Sequence, residues 1–376
     1  MKRLLLPFVL LLAMAGSLAG PTPAPAADNA AGSPTPLFAY YYIWFTPSSW
    51  SRGKIDTPLL GRYSSDDSQV MRQHVRWAKS AGITGFLVSW KSTPALDDRL
   101  ARLIQVADAE HFRLGIVYEG LDFHRRPLPI ATVRHDLERF ARTFARNPAF
   151  AIFDHPVVIW SGTWRYTNSE IRSVTQALHG RVLVLASAKN VDDYERVAPL
   201  VDGDAYYWSS VNPGRYKGYP NKLRALSAAV HARNGLWIAP AAPGFDSRLI
   251  GGTSIVPRNN GSTLLRELNA ATSSSPDAIG VISWNEFSEN TFVEPSRAYG
   301  STALKVIADV RHARAPEVGN FDSDGAGTST AAFGISYGII GLAAGCAGLI
   351  ALTTIARRRR RPPIGPVTKE PSPPLP

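Results

Sequence analysis

Ser65-Asp66-Asp67-Ser68-Gln69-Val70-Met71-Arg72-Gln73-His74-Val75-Arg76-Trp77-Ala78-Lys79-Ser80 runs into Ala81-Gly82-Ile83-Thr84-Gly85-Phe86-Leu87-Val88-Ser89-Trp90, and these two halves decide the fold. The first half places Val70, Val75, Trp77 and Ala78 in a helical pattern. Ser65 and the acidic Asp66 and Asp67 stand where a helix start prefers them, predicting a helix over Asp66–Ser80. The second half is short, apolar on both faces and bounded by Gly82, the signature of a buried parallel strand, Gly82–Trp90.

Working outward, the same alternation fills residues 37–313. Further strands are predicted at Leu37–Phe45, Arg113–Glu119, Pro156–Trp160, Arg181–Ser187, Gly203–Trp208, Leu236–Pro240 and Ala278–Trp284. Helical patterns lie between and after them at Leu96–Glu110, Thr132–Arg146, Ser169–Leu178, Asp192–Leu200, Asn221–Arg233, Ser262–Ala271 and Ser301–His312. Eight βα units over this length fit a (β/α)8 TIM barrel. An open doubly wound sheet is the runner-up, but no Gly-rich phosphate loop follows the first strand.

The two ends of the chain read differently. Lys2 and Arg3 precede an apolar run from Leu4 to Ala15 and the small residues Ser17-Leu18-Ala19, which predicts a secretory signal peptide over residues 1–26. Residues 27–36 read as a disordered leader and 37–315 as the barrel domain. A linker follows at 316–330. Residues 331–356 carry no charge, and at about 1.5 Å per residue they span roughly 39 Å, enough for a tilted transmembrane helix. Arg357 to Arg361 mark its cytoplasmic side, and residues 357–376 form a basic, Pro-rich tail. The expected protein is a single-pass type I membrane protein, anchored through 331–356, with a (β/α)8 ectodomain followed by one C-terminal transmembrane helix.

That topology disposes of a nucleic-acid reading. The chain of 376 residues has a formal net charge of +11, but residues 28–330 carry 33 basic and 29 acidic residues. The excess lies on the flanks, so no nucleic-acid partner is expected. The single cysteine, Cys346, falls in the predicted span, which leaves the exported domain without a thiol. His74, His111, His124, His135, His155 and His179 show no metal-ligand spacing, so neither metal nor cofactor is expected.

A barrel carries its chemistry at the C-terminal ends of its strands. Read together, those ends supply Tyr42 and Trp44, Trp90 and Lys91, Glu119, Trp160 and Trp164, Lys189 and Asn190, Tyr206 to Trp208, Asp246, and Ser283 to Glu286. Aromatic platforms among carboxylates and amides suit the apolar faces and hydroxyl rims of sugars, so a polysaccharide or glycan is the expected partner. The densest segment is Trp284-Asn285-Glu286-Phe287-Ser288-Glu289-Asn290-Thr291-Phe292-Val293-Glu294-Pro295, where a strand ends in three glutamates. Glycoside hydrolysis needs one protonated and one ionised carboxyl group, and close carboxylates separate their pKa values to supply both.

This segment resembles the W-N-E-x-x-E-x-T-x-x-E-P motif of glycoside hydrolase family 99, the endo-α-mannosidase and endo-α-mannanase family. Tyr41-Tyr42-Ile43-Trp44-Phe45, Tyr63-Ser64-Ser65-Asp66, Gln73-His74, Trp77 to Trp90, Pro243-Gly244-Phe245-Asp246 and Pro257-Arg258-Asn259-Asn260-Gly261 extend the resemblance along residues 37–312. It implies retaining, endo-acting, metal-independent hydrolysis of an α-mannosidic bond through a 1,2-anhydro sugar. Glu286 would be the base and Glu289 the acid/base. By position, Tyr42, Trp90, Glu119, Trp284 and Asn285 would line the glycone side. Asp246 and Glu294 join the substrate-binding set, as substrate-facing groups or as loop anchors. The chain departs from the family pattern at Lys91, Tyr118-Glu119-Gly120, Ser288 and Asn290. The competing function is a catalytically inactive barrel that binds a cell-envelope polysaccharide.

Overall fold

Strand parity, more than any other property of the chain, sets this architecture. The structure is a computed structural model and describes residues 34–316 apart from Phe123. Seven strands come first: β1 (Leu37–Tyr42), β2 (Gly85–Trp90), β3 (Arg113–Glu119), β4 (Val157–Ser161), β5 (Leu183–Ala186), β6 (Gly203–Ala205) and β7 (Leu236–Ala241). A small antiparallel hairpin, β8 (Phe245–Asp246) with β9 (Ile255–Val256), precedes the eighth barrel strand, β10 (Ala278–Val281). The eight long-range strands pair in parallel and close the barrel β1-β2-β3-β4-β5-β6-β7-β10. Around them lie α1 (Ser68–Ser80), α2 (Pro94–Ala109), α3 (Ile130–Thr143), α4 (Asn168–Leu178), α5 (Val191–Val197), α6 (Tyr219–His231), α7 (Ser262–Thr272) and α8 (Thr302–Arg311). The likeness to a (β/α)8 TIM barrel read from the sequence therefore stands.

Because successive strand residues face opposite ways, each strand feeds two cores. Phe38, Tyr40, Leu87, Val117, Ile159, Leu185, Ala205, Ile238 and Ile282 fill the barrel interior. Leu37, Ala39, Tyr41, Phe86, Val88, Leu114, Ile116 and Val158 face the helices in the larger core. The interior is close-packed: a Cβ on Gly280 would lie 2.7 Å from the Tyr40 ring, so β10 needs a glycine there.

Local signals explain most boundaries. Asp67 caps α1 by accepting hydrogen bonds from the Gln69 and Val70 N–H groups, and Thr167 with Glu170 forms a capping box on α4. Asp66, predicted inside the first helix, instead pairs with buried Arg99 at 2.7 Å. Strands β6 and β10 are shorter than predicted because their chains turn away to build the site. Past Val281 the Ile282 N–H still reaches the Ala241 carbonyl, but the Ser283 N–H bonds Thr291 of the returning loop.

Among the described residues no helix is long and apolar enough to cross a membrane. The readings of residues 1–26, 331–356 and 357–376 lie outside the described residues, as do nearly all of the leader and linker.

Candidate active site

The interior-facing residues at the C-terminal end of the barrel form one layer. Tyr42 pairs in register with Ser89, and Glu119 with Ser161. Ser89 donates its hydroxyl hydrogen bond to Glu119 Oε1 at 3.0 Å, and the hydroxyls of Tyr42 and Tyr207 contact each other. Above this floor opens a cavity of about 510 Å³. Tyr42, Trp44, Glu119, Ser161, Tyr207, Glu286 and Glu289 line it, with Trp164, Trp208 and Arg125 further out on its wall.

Glu286 and Glu289 reach this cavity on a loop that folds back on itself. After the cis Ile282–Ser283 peptide, the Ser283 hydroxyl accepts the Glu286 N–H at 2.8 Å and contacts the Thr291 hydroxyl at 3.1 Å. The Val293 N–H bonds the Ser283 carbonyl, and the Glu294 N–H the Trp284 carbonyl. Phe287 and Phe292 stack at 4.0 Å and sink the loop into an aromatic cluster with Phe45, Trp50 and Tyr63. Asn290 sits at φ +56°, the left-handed conformation that asparagine tolerates better than most residues. Its side chain accepts from Arg258 Nε at 2.9 Å, while Arg258 Nη2 donates to the Asn290 and Phe292 carbonyls at 3.2 and 2.7 Å. On the far side, the Asp246 N–H donates to the Glu289 carbonyl at 2.7 Å.

The two carboxyl groups sit in different electrostatic surroundings. Burial raises both above the usual glutamate range. Glu286 is held back by a hydrogen bond from the Ser288 N–H, 2.9 Å from its Oε1, and by the Lys54 ammonium. Glu289 is pushed well up, first by burial and then by the charges of Glu286 and Glu119, with Arg125 opposing. The two carboxyl groups titrate as a coupled pair, with Glu289 raised the further of the two. Tyr42 and Tyr207 are also raised by burial and nearby carboxylates, so both phenols are neutral.

The residues singled out from sequence divide into three groups. Glu286, Glu289, Glu119 and Tyr42 meet at the cavity. Trp90 and Trp284 do not: they occupy outward-facing positions and are fully buried in the helix-side core. Trp90 packs on Phe140 and Phe144 and donates its Nε1–H to Asp97 at 3.0 Å. Trp284 lies against Phe86 and His74. Asn285, Asp246 and Glu294 are positioning groups. Asn285 accepts the Tyr42 N–H at 2.9 Å and donates to the Tyr42 carbonyl at 3.0 Å, which locks the end of β1 to the loop that carries Glu286 and Glu289. Glu294 accepts from the Tyr63 hydroxyl at 2.8 Å and meets His74 Nε2 at 3.0 Å, and His74 Nδ1 in turn meets the Tyr41 hydroxyl. Asp246 pairs with Arg248 at 2.6 Å behind the Glu289 backbone, and that guanidinium holds its carboxyl below the usual range. The sequence reading passed over Ser89, Ser161, Lys54 and Arg125. Parity identifies the first two, since they precede or follow the tryptophans by one position, whereas Lys54 and Arg125 come from loops with no local signal. Among the described residues no cluster of three or more His, Cys, Asp or Glu is placed to hold a metal ion.

A closed parallel barrel with paired carboxyl groups on a loop at its C-terminal mouth is the architecture of a retaining or inverting glycoside hydrolase. Residues 53–313 match the model of "Glycosyl hydrolase family 99", and the chain belongs to that family. It is 25% identical over 285 residues to the glycoprotein endo-alpha-1,2-mannosidase of Rattus norvegicus, covering 68% of this chain and 59% of that protein. It is 23% identical over 283 residues to the human glycoprotein endo-alpha-1,2-mannosidase-like protein, covering 64% of this chain and 59% of the relative. The chain thus spans about three fifths of the length of these curated relatives. Among solved structures, the GH99 endo-alpha-mannosidase from Bacteroides thetaiotaomicron superposes with a TM-score of 0.64 at 19% identity, over 74% of this chain and 96% of that one. A structure described as a glycoside hydrolase-like protein superposes at 0.60 and 16% identity, over 78% and 97%.

Proposed function

We propose that this protein is a retaining, endo-acting glycoside hydrolase that cleaves α-mannosidic or closely related α-glycan linkages. The observation that carries this reading is that Glu286 and Glu289 line one cavity at the C-terminal mouth of the barrel, beside Tyr42, Tyr207 and Glu119. In the first step Glu286 takes the proton of the sugar's 2-hydroxyl. The freed oxygen attacks C1 while the C1–O bond to the leaving sugar breaks, and Glu289 protonates the departing oxygen. A 1,2-anhydro sugar results. In the second step Glu289 takes a proton from water, the water oxygen opens the three-membered ring at C1, and Glu286 returns its proton to O2. Two inversions at C1 give net retention. Neutral Tyr42 and Tyr207 can donate hydrogen bonds to sugar hydroxyls beside the pair, and Glu119 can accept one.

The membrane topology read from residues 1–26 and 331–361 supports an extracytoplasmic substrate: a cell-membrane, single-pass type I protein with its catalytic domain outside. The decisive experiment incubates the full chain with α-mannan oligosaccharides and follows the product anomer by NMR. The α-anomer is expected first from the wild type. E289Q and E286Q should each lower kcat by at least about 10²-fold while leaving binding nearly intact. Undiminished hydrolysis by E289Q would remove the mechanism, and binding without turnover in the wild type would favour the inactive barrel.

A further inference from the structure

One edge of the cavity carries a feature that α-mannoside hydrolysis alone does not require. Trp164, on the loop after β4, and Trp208, on the loop after β6, both line the cavity, their rings 5.1 Å apart and inclined at 51°. The Lys189 ammonium, from the loop after β5, lies 4.8 Å from the first ring centroid and 4.4 Å from the second. It makes no ion pair or hydrogen bond among the described residues, so its N–H donors are held in place by two π faces and left unfilled. The two rings that a sugar meets at this edge therefore carry a cation against them. Arg125, from the loop after β3 on the same cavity wall, also makes no ion pair among the described residues.

We infer that Trp164, Lys189 and Trp208 form an outlying subsite that selects a glycan bearing an anionic substituent, a phosphoryl or carboxylate group. The charge arrangement gives the site a direction. The carboxylates of Glu119 and Glu286, which line the same cavity, repel an anion, so the substituent belongs on a sugar removed from the cleaved bond. An ammonium is a compact point charge without the planar fork that would choose between oxyanion geometries, so either anion satisfies it. This assignment rests on the glycosidase reading for the identity of the bound polymer.

The test is binding to the full chain carrying E289Q, followed through tryptophan fluorescence. The probes are a neutral α-mannotetraose, its phosphorylated form and a form carrying a uronic acid. At least one anionic probe should bind about two- to five-fold more tightly than the neutral one at low salt, the scale of one partly exposed charge pair. That ratio should shrink in high salt, persist in K189R and fall to near one in K189M. Whichever anion shows the preference identifies the substituent. Equal affinity for all three probes, or a preference that survives K189M, overturns the subsite, as does failure of every probe to bind. Hydrolysis of neutral α-mannan by the wild type, measured alongside, reports on the glycosidase reading separately.

Discussion

Arg258 is the side chain whose replacement should most cleanly separate loop geometry from chemistry. It is only 8% exposed, touches neither the cavity nor the carboxyl groups, and holds the loop of Glu289 from behind. Its guanidinium donates three hydrogen bonds to Asn290 and Phe292 and lies 4.2 Å over the Phe292 ring and 4.3 Å over Tyr299. Burial lowers its pKa to about 10, so it remains a cation at neutral pH. R258K keeps a cation on a similar stem but loses the planar fork, and one ammonium cannot follow all three acceptor directions. Losing two hydrogen bonds to a charged donor, at about 1.5 kcal/mol each, predicts a destabilisation of about 3 kcal/mol. For a domain of this size that is a fall of about 5 °C in Tm. With the Asn290 and Phe292 carbonyls released, Glu289 shifts against Glu286, and a displacement of about 1 Å lowers kcat about 10²-fold with little change in KM. Differential scanning calorimetry and initial-rate kinetics on an α-mannan oligosaccharide read the two effects independently. If R258K melts with the wild type and keeps kcat within twofold, the clamp has no such role.

Three further substitutions probe the same logic elsewhere. Glu267 on α7 is 2% exposed, and burial pushes its pKa from 4.5 up to about 8. The folded state therefore holds a proton that the unfolded state has lost, and stability should fall by about 1.4 kcal/mol per pH unit from about pH 4.5 to 8, then level off. E267Q should remove that slope and be more stable than the wild type at pH 9 by up to about 4–5 kcal/mol, as measured by urea unfolding; parallel pH curves for the two proteins would contradict it. Y207F and W90F should behave oppositely. Y207F removes the hydroxyl partner of Tyr42, so kcat/KM should drop about tenfold at nearly constant Tm. W90F vacates core volume and removes the indole donor from Asp97, which keeps its Arg139 ion pair, so Tm should fall by several degrees, corresponding to about 2–3 kcal/mol, at nearly constant kcat.

That last contrast shows where a reading of the chain stops. All eight strands and eight helices announce themselves through period and punctuation, because a strand buried on both faces and an amphipathic helix have incompatible patterns. Which residue at a strand end faces inward is a matter of parity, and aromatic bulk obscures it. Trp90 and Trp160 are more conspicuous than Ser89 and Ser161, yet the serine of each pair faces the barrel interior and the tryptophan packs against the helices; the adjacent Tyr206 and Tyr207 divide the same way with no difference in size. Counting in twos from Phe38, Leu87 and Ile159, whose side chains fill the interior, reaches Tyr42, Ser89 and Ser161 without reference to size.

Parity does not reach the carboxyl pair, whose members lie beyond the last strand. Glu286 and Glu289 read as a pair from their spacing at a strand end beside Trp284 and Asn285, but the difference between them depends on groups far away in the chain. Lys54 and the local Ser288 N–H favour the charged form of Glu286, while Glu119 and Glu286 itself disfavour the charged form of Glu289. Lys54 precedes its carboxylate by more than two hundred positions, and only closure of β1 against β10 brings their loops to one mouth. The Asn285 side chain then ties that closure to the Tyr42 backbone. A motif can thus nominate two carboxyl groups, but the barrel seam sets the charges that surround each of them. Displacing Asn285 should therefore disturb the protonation of the pair even though its side chain does not line the cavity.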